Sequence, residues 1–284
     1  SDPMAAFFIM LAILLFERNL ILSCISFTLA VMSKESALIA PFLIILYSYF
    51  STRFVPPFAN KGRGFARSKN IVRARPEVPS RELLLKRLLP FVIIAIIYGL
   101  LRLTVLNFSK TIGENLPQPF FYVPLWIRFC TFLKALPVYF SILLWPFGLH
   151  MERQMDIAQS IFEPQAFLGF LILAGIFFIA YRIRKFNMAM LFSACWFFIA
   201  LFPNSNIIPI NALIYEHWLY LPSLGFFITV AWLIEELLKQ GKILKYAVIF
   251  ITILIGLFYM WRTIERNKEW LDHISFYEST IKYV

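Results

Sequence analysis

Charged side chains interrupt long apolar runs at two places in this sequence, Ser33–Ser36 and Pro203–Ser223. In the first, Lys34 and Glu35 stand side by side between apolar segments, where charges need partners or water. One interpretation is that Lys34 binds an anionic group while Glu35 orients it. An interfacial turn in which the two charges neutralise each other explains the pair equally well, and the sequence leaves both open.

The second stretch is polar, is punctuated by prolines and runs directly into another apolar segment. Glu216 and His217 lie at the mouth of that segment, followed by Tyr220. All three are candidate ligand-binding residues. Glu216 and Tyr220 also have purely structural explanations, because a helix dipole favours a carboxylate at its N-terminus and aromatic side chains are common at a membrane interface.

Further cations complete the set of candidates. Arg102 lies near the end of one apolar segment, and Arg128 and Lys134 lie in the next. With Lys34 they would form a cationic pocket suited to phosphate, because guanidinium groups bind phosphate oxygens in a bidentate manner. Snorkelling toward lipid head groups explains each cation singly. The pocket therefore depends on whether these residues converge in the tertiary structure.

Other chemistries find little support in the sequence. The histidines His150, His217 and His273 show no metal-ligand spacing, and the three cysteines lie apart in apolar stretches. Neither a zinc site nor a disulfide framework is predicted. The chain has no G-x-S-x-G, P-loop or Rossmann glycine pattern, so hydrolase and nucleotide-binding functions are not indicated.

The composition indicates an integral membrane protein. Apolar residues make up 60% and charged residues 15% of the 284 residues, against about 45–50% and about 25% in soluble domains. Most of the net charge of +11 comes from residues 51–87, which carry ten basic and two acidic side chains. This pattern is typical of a cytoplasmic loop that also touches membrane lipids. No nucleic-acid-binding motif accompanies it, so no nucleic-acid partner is predicted.

The apolar segments predict an all-α polytopic membrane protein with about eight spans. They cover residues 4–16, 20–32, 36–50, 88–107, 165–181, 187–202, 218–237 and 245–262. Several are shorter than the ~20 residues that a helix needs to cross a bilayer, so they must pack inside a bundle or borrow flanking residues. Only Glu17, Arg18 and Asn19 separate the first two segments, which predicts a tight helical hairpin. With the loop 51–87 in the cytoplasm, the basic clusters at 182–185 and 239–245 are cytoplasmic too. The candidate residues then lie on the extracytoplasmic face.

Residues 120–149 do not fit this alternation. They are apolar enough to span, but a crossing there would place the 182–185 cluster outside. They also contain Arg128, Lys134 and two prolines. We expect an outer-face helix followed by a half-inserted segment that packs on the bundle, with a genuine span as the alternative.

Four motifs in order resemble those of one family. They are S-K-E-S-A-L-I-A-P at 33–41, L-L-W-P-F-G-L at 143–149, F-P-N-S-N-I-I-P-I at 202–210 and Y-E-H-W-L-Y-L-P-S-L-G-F at 215–226. The chain resembles the membrane domain of the transmembrane, tetratricopeptide-repeat-containing glycosyltransferases. These are GT-C enzymes, and their eukaryotic members are O-mannosyltransferases of the endoplasmic reticulum. Those members typically have Glu-Arg where this chain has Glu216-His217, which favours a prokaryotic relative in a bacterial inner membrane.

The resemblance implies a GT-C-like bundle that transfers a sugar from a polyprenyl-phosphate donor to a protein or glycan acceptor on the extracytoplasmic face. An outer-loop carboxylate would deprotonate the acceptor hydroxyl, and a cationic pocket would stabilise the departing lipid phosphate. Besides the lipid-linked donor no cofactor is implied, and a divalent cation is left open. The residues expected to bind and orient the substrates are Lys34, Glu35, Arg102, Arg128, Glu216, His217 and Tyr220.

The resemblance also divides the chain. Residues 1–262 correspond to the C-terminal portion of the membrane domain, with 51–87 as its cytoplasmic loop. The motif R-N-K-E-W-L-D at 266–272 is similar to the junction where the family's repeats begin, so 263–284 is expected to start a truncated repeat domain with amphipathic spacing. In this register the family's catalytic aspartate precedes residue 1, and Asp2 matches a different motif. No catalytic base is therefore assigned.

Two other functions remain as alternatives. The first is a non-catalytic membrane anchor that displays a periplasmic repeat domain for protein assembly. The second is a flippase or polymerase for lipid-linked glycans, which would need a polar route through the bilayer. Segments such as 165–181 and 245–262 offer almost no polar side chains for such a route. The sugar, the acceptor and the oligomeric state are left open.

Overall fold

The computed structural model describes residues 2–51, 81–105, 123–150, 153, 155–184, 188–208, 210 and 212–269. Within these ranges the chain is helical, with no strand. The α-helices of this part are α1 (Asp2–Leu15), α2 (Leu20–Ser33), α3 (Ala40–Ser51), α4 (Arg81–Thr104), α5 (Leu125–Leu144), α6 (Pro164–Ile183), α7 (Ala189–Leu201), α8 (Ser223–Leu238) and α9 (Lys242–Glu269). Short 3₁₀ helices cover Glu35–Ile39, Phe202–Asn204 and Glu216–Leu219.

The structure is that of a helical membrane protein. In the described part four helices are long and apolar enough to cross a membrane, namely α4 from Glu82 onward, α5, α6 and α9. This number is smaller than the eight spans expected from the sequence, because the other apolar helices are short. Helix α3, for example, has 12 residues and extends about 18 Å at 1.5 Å per residue.

Helices α1 and α2 form the tight hairpin that the sequence predicted. Asn19 caps α2, because its side-chain oxygen accepts a hydrogen bond from the Leu22 backbone N–H at 3.1 Å. Further along, the Ser23 hydroxyl donates to the Ala12 carbonyl at 2.6 Å. Residues 16–19 therefore lie at one end of the hairpin, whereas Asp2 and the end of α2 lie at the other.

Small residues allow helices to approach closely in the rest of the bundle. A Cβ atom on Gly169 of α6 would clash with the Leu133 carbonyl of α5. A Cβ atom on Gly225 of α8 would lie 2.5 Å from the Ser193 carbonyl oxygen of α7. Such contacts are typical of membrane helices, whose packing relies on van der Waals contact because lipid is as apolar as the side chains.

Helix α5 is the segment that the sequence left ambiguous. It is one continuous helix with the length and composition of a span, but its two flanks reach the same end of the bundle. At its start, Arg128 Nη1 donates to the Ile207 carbonyl at 3.2 Å. Just beyond its end, the Leu149 carbonyl accepts from Arg266 Nη1 at 2.9 Å. The expected half-inserted segment and the alternative of a genuine span both stay predictions for this helix.

Two predicted regions lie largely outside the described residues. Of the basic loop 51–87, only Ser51 and the part from residue 81 onward are described. Of the predicted repeat segment 263–284, residues 263–269 continue helix α9 without a break, and 270–284 are outside the description.

Candidate functional site at the charged end of the bundle

Charged side chains from several helix ends meet at one end of the bundle, which we call the charged end. It consists of the start of α1, the ends of α2, α4 and α9, residues 145–150 and 153, and the described residues of the connection between α7 and α8. Elements far apart in sequence converge there, since 32 residues separate Asp2 from Lys34 and 67 separate Glu35 from Arg102. Several of the candidate residues, namely Lys34, Glu35, Arg102, Glu216 and His217, therefore belong to the same end of the bundle, and the pocket itself stays a prediction.

The first cluster at this end consists of Asp2, Lys34 and His217. Lys34 Nζ forms an ion pair with Asp2 Oδ1, and the two side chains are only 16% and 19% exposed. His217 Nε2 lies 3.9 Å from Asp2 Oδ2, and its ring stacks on Tyr215 with centroids 5.0 Å apart. Burial lowers the pKa of His217, and the Lys34 charge lowers it further while Asp2 opposes the shift. His217 is consequently neutral at pH 7.

The second cluster adjoins the first through the peptide bond between Lys34 and Glu35. Arg102 Nη2 donates to Glu35 Oε2 at 2.6 Å, and Arg102 Nε donates to the Tyr98 hydroxyl at 2.9 Å. Lys34 and Glu35 thus each pair with a group from another helix, rather than neutralising each other. The Glu35 side chain is 53% exposed and that of Arg102 is 24% exposed, so this pair faces the outside more than the first cluster does.

The third cluster surrounds Glu216, which turns away from its neighbour His217. Glu216 Oε1 accepts from the His150 backbone N–H at 2.7 Å and from Arg153 Nη2 at 3.1 Å. Glu216 Oε2 lies 3.8 Å from Arg266 Nη2. Arg266 also pairs with Glu269 in its own helix. Glu216 therefore ties His150, Arg153 and the end of α9 to the connection between α7 and α8.

Arg128 and Lys134 occupy separate positions on helix α5. The Arg128 guanidinium donates to two backbone carbonyls, those of Val123 at 2.8 Å and Ile207 at 3.2 Å. Lys134 forms an ion pair with Glu163 at 3.0 Å. A hydrogen bond from the Gln159 backbone N–H and one from Lys134 lower the pKa of Glu163. None of these contacts brings either cation to the first two clusters.

Tyr220 is the last of the predicted residues. Its backbone N–H donates to the His217 carbonyl at 3.2 Å, and the residue is 52% exposed. The residues predicted from the sequence did not include Asp2, Arg153 or Arg266, nor the Tyr98 and Glu269 side chains that contact Arg102 and Arg266. Asp2 and Arg266 do lie in stretches singled out by the resemblance, but nothing in their spacing indicated which charge each would meet.

The charges of the three clusters largely compensate each other. Lys34 and Arg102 each contact a carboxylate, and Glu216 contacts two guanidinium groups, one of which also pairs with Glu269. The arrangement is therefore a network of ion pairs rather than a uniformly cationic pocket. Among the described residues, no group of three or more histidine, cysteine, aspartate or glutamate side chains is arranged to hold a metal ion.

An apolar groove lies on the surface between α2 and α4. Its lining residues are Leu20, Ile21, Cys24, Ile25, Thr28, Leu29 and Pro90. The groove follows α2 for about 14 Å, from Leu20 to Leu29, at 1.5 Å per residue. Leu29 lies five residues before Lys34, so the groove runs toward the first two clusters.

A comparison with family models, curated proteins and solved structures finds no match for this chain. The fold and the site define its class as a helical membrane protein with a network of ion pairs at one end of the bundle. The resemblance to the glycosyltransferase family stays a prediction.

Proposed function

We propose that the chain is the membrane domain of a glycosyltransferase that takes its sugar from a polyprenyl-phosphate donor and transfers it to a protein or glycan acceptor. The observation that carries the proposal is the junction at Lys34 and Glu35. This dipeptide joins the Asp2–Lys34–His217 cluster to the Glu35–Arg102 pair, so two cations and one imidazole belong to the same end of an apolar bundle.

The apolar groove supports a lipid-linked substrate. A prenyl chain lying along α2 toward Leu29 would place its phosphate near Lys34 and Arg102. The Glu35–Arg102 pair is partly exposed, so a phosphate can take the place of Glu35 on the guanidinium without opening a buried ion pair. Arg102 and Lys34 would then stabilise the charge that develops on the departing phosphate.

The distribution of basic residues supports an orientation with the charged end outside. The opposite end carries an excess of basic over acidic side chains, and its basic members are Arg18, Lys86, Arg87, Arg182, Arg184, Lys239, Lys242 and Lys245. Cytoplasmic loops are enriched in lysine and arginine. In this proposal about eight apolar segments cross or enter a bacterial inner membrane, and α5 packs as a half-inserted helix at the extracytoplasmic end.

The test is sugar transfer by the full-length protein in lipid nanodiscs, with a radiolabelled polyprenyl-phosphate sugar and a mixture of protein and glycan acceptors. Arg102→Gln is expected to lower kcat/KM by about 10²-fold, because it removes one donor to the developing phosphate charge. Lys86→Gln is the matched control, since its exposed pair with Glu82 lies at the opposite end and its rate should not change. Folded wild-type protein that transfers no sugar would refute the proposal.

The non-catalytic anchor is a second candidate, and the Glu216 cluster favours it. That cluster links helix α9 to the connection between α7 and α8, which would fix the position of a domain attached to α9. The variant Lys34→Gln distinguishes the glycosyltransferase from the anchor. A glycosyltransferase would lose donor-dependent activity in cells, whereas an anchor would keep its cellular phenotype as long as the variant folds.

A further inference from the structure

We propose that Arg262, near the end of helix α9, binds the phosphate of a phospholipid head group in the leaflet on the side of the charged end. The aromatic side chains Trp145, Phe147, Phe258 and Trp261, which we call the aromatic patch, flank this guanidinium and hold the lipid at that depth. The inference goes beyond the proposed glycosyltransferase function and does not depend on it.

The Arg262 guanidinium is held in place while most of its donors are left over. Its Nε donates to the Pro146 carbonyl at 2.9 Å, and its Cζ lies 4.6 Å from the centroid of the Phe147 ring. The hydrogen bond at Nε uses one of the five N–H groups that a guanidinium carries. Within the described ranges, no carboxylate pairs with Arg262 and no atom accepts from its two Nη nitrogens. By contrast, Lys34 and Arg266 of the same end each pair with a carboxylate.

The position of Arg262 along α9 places it at the level of lipid phosphates. Helix α9 begins at Lys242, and the distance from Lys242 to Arg262 is about 30 Å at 1.5 Å per residue. This distance equals the thickness of the hydrocarbon core, about 30 Å. The most apolar part of the helix is only 6% buried inside the protein, so lipid surrounds it. With the basic start of α9 at one interface, Arg262 therefore lies at the other, where the phosphates of that leaflet are found.

The aromatic patch marks the same interface. Its rings contact each other across two segments, since the Trp145 and Phe258 centroids are 5.9 Å apart and those of Phe258 and Trp261 are 6.2 Å apart. Trp145 and Trp261 are nevertheless 67% and 50% exposed. Exposed tryptophan is enriched at the head-group level, because the ring is apolar and its N–H is polar. An aromatic belt alone accounts for these rings, but it does not account for a fixed guanidinium without a carboxylate in their midst.

The apolar surface next to this site suits a phospholipid better than a single prenyl chain. On the membrane side of Arg262, the residues Ile251, Leu254 and Leu257 of α9 are 54%, 48% and 51% exposed. They offer a broad open surface along which two acyl chains can lie. The groove assigned above to the prenyl chain is lined by α2 and α4 rather than by α9. We therefore assign the Arg262 site to the phosphodiester of a phospholipid, which the guanidinium can bind with two parallel hydrogen bonds.

The test is lipid binding by the full-length protein in a neutral maltoside detergent, titrated with phosphatidylglycerol and followed by native mass spectrometry. Arg262→Gln should raise the Kd of the tightest bound lipid about tenfold, because it removes the charge-assisted hydrogen bonds to phosphate. Arg262→Lys should fall between the two, because an ammonium keeps the charge without the fork of donors. Lys268→Gln is the matched control, since it removes a cation from the same end of α9 whose pair with Glu265 is exposed, and it should change Kd by less than about twofold. Equal Kd values for the wild type and Arg262→Gln would overturn the proposal.

Two other lipids identify the chemistry that the site recognises. Diacylglycerol has the same acyl chains without phosphate, so Arg262→Gln should leave its binding unchanged. Polyprenyl phosphate should not displace the phosphatidylglycerol that depends on Arg262. If it does so at lower concentration than phosphatidylglycerol itself, the site belongs to a lipid-linked substrate and the assignment to a phospholipid is wrong.

A measurement on the wild type makes the test independent of folding of the variants. Phosphatidylglycerol with a photoreactive diazirine on its head group is placed in nanodiscs with the wild-type protein and irradiated, and the labelled peptides are identified by mass spectrometry. Labels are expected on Trp145, Phe147 or Trp261. Head-group labels that avoid the aromatic patch, or that fall on residues 251–257 instead, would refute the predicted depth. Neither measurement involves sugar transfer, so failure of the glycosyltransferase proposal leaves this result standing, and the reverse also holds.

Discussion

Replacing Glu216 by glutamine tests whether this carboxylate holds three segments of the charged end together. Glutamine keeps an acceptor for the His150 N–H but removes the counter-charge of Arg153 and Arg266. The side chains of Glu216, Arg153 and Arg266 are only 16%, 20% and 13% exposed. Water therefore compensates poorly for the lost charge, and the free energy of unfolding should fall.

The expected decrease in the free energy of unfolding lies between two limits. Removing one partner of a fully buried ion pair costs about 3–5 kcal/mol, whereas an exposed pair is worth about 0–1 kcal/mol. Arg266 keeps its contact with Glu269, and the Arg153 side chain is 20% exposed, so water can solvate part of its charge. We expect a loss of about 2 kcal/mol, which corresponds to a decrease in Tm of about 5 °C for a chain of this size.

The assay is thermal unfolding in one detergent, followed by tryptophan fluorescence. Glu265→Gln is the matched control, because its pair with Lys268 is 39% and 61% exposed and should shift Tm by no more than about 1 °C. In a double-mutant cycle, Glu216→Gln should cost less in the background of Arg153→Met than in the wild type. Equal Tm values for Glu216→Gln and Glu265→Gln, or additive effects in the cycle, would refute the conclusion that Glu216 holds these segments together.

Three further predictions concern packing, pH and membrane association. Gly169→Ala should lower Tm well below that of Gly175→Ala in the same helix, because only the first Cβ meets a neighbouring backbone; thermal unfolding of the pair checks this, and equal Tm values would contradict the close approach. The pKa of Glu163 is lowered, so its contribution to stability is present above the unfolded pKa of about 4.3 and is lost as the pH falls through its folded value. The difference in Tm between the wild type and Glu163→Gln should therefore shrink on acidification. A difference that grows instead would count against the pair of Glu163 with Lys134. The protein should stay in the membrane pellet after extraction with alkaline carbonate and leave it only in detergent, as four helices of spanning length require; release by carbonate would show peripheral association.

Local patterns in the sequence were enough to predict several features of the fold. The apolar composition indicated a membrane protein, and the polar tip at residues 17–19 indicated the hairpin of α1 and α2, because both depend on neighbouring residues along the chain. The number of spanning helices was harder to predict. Stretches such as 36–50 are apolar throughout, but part of this stretch forms a 3₁₀ turn at Glu35–Ile39, which leaves α3 short.

The candidate site, like the fold, could be predicted from the sequence only in part. The sequence singled out Lys34, Glu35, Arg102 and His217, because charged and polar side chains next to apolar segments stand out by type alone. It did not indicate that Lys34 would meet Asp2 or that Glu35 would meet Arg102, nor that the Arg128 guanidinium would bind two backbone carbonyls.

By itself the sequence determined that the chain is apolar, helical and basic, and where its polar interruptions fall. Only the tertiary structure decided that Lys34 meets Asp2 and that Glu216 faces Arg153, 63 residues away. The physical reason is the separation along the chain of the residues involved. Helical and apolar patterns are set by residues within a turn or two of each other, whereas an ion pair depends on two side chains from distant parts of the chain reaching within about 4 Å of each other across the bundle. That approach depends on how every intervening helix packs.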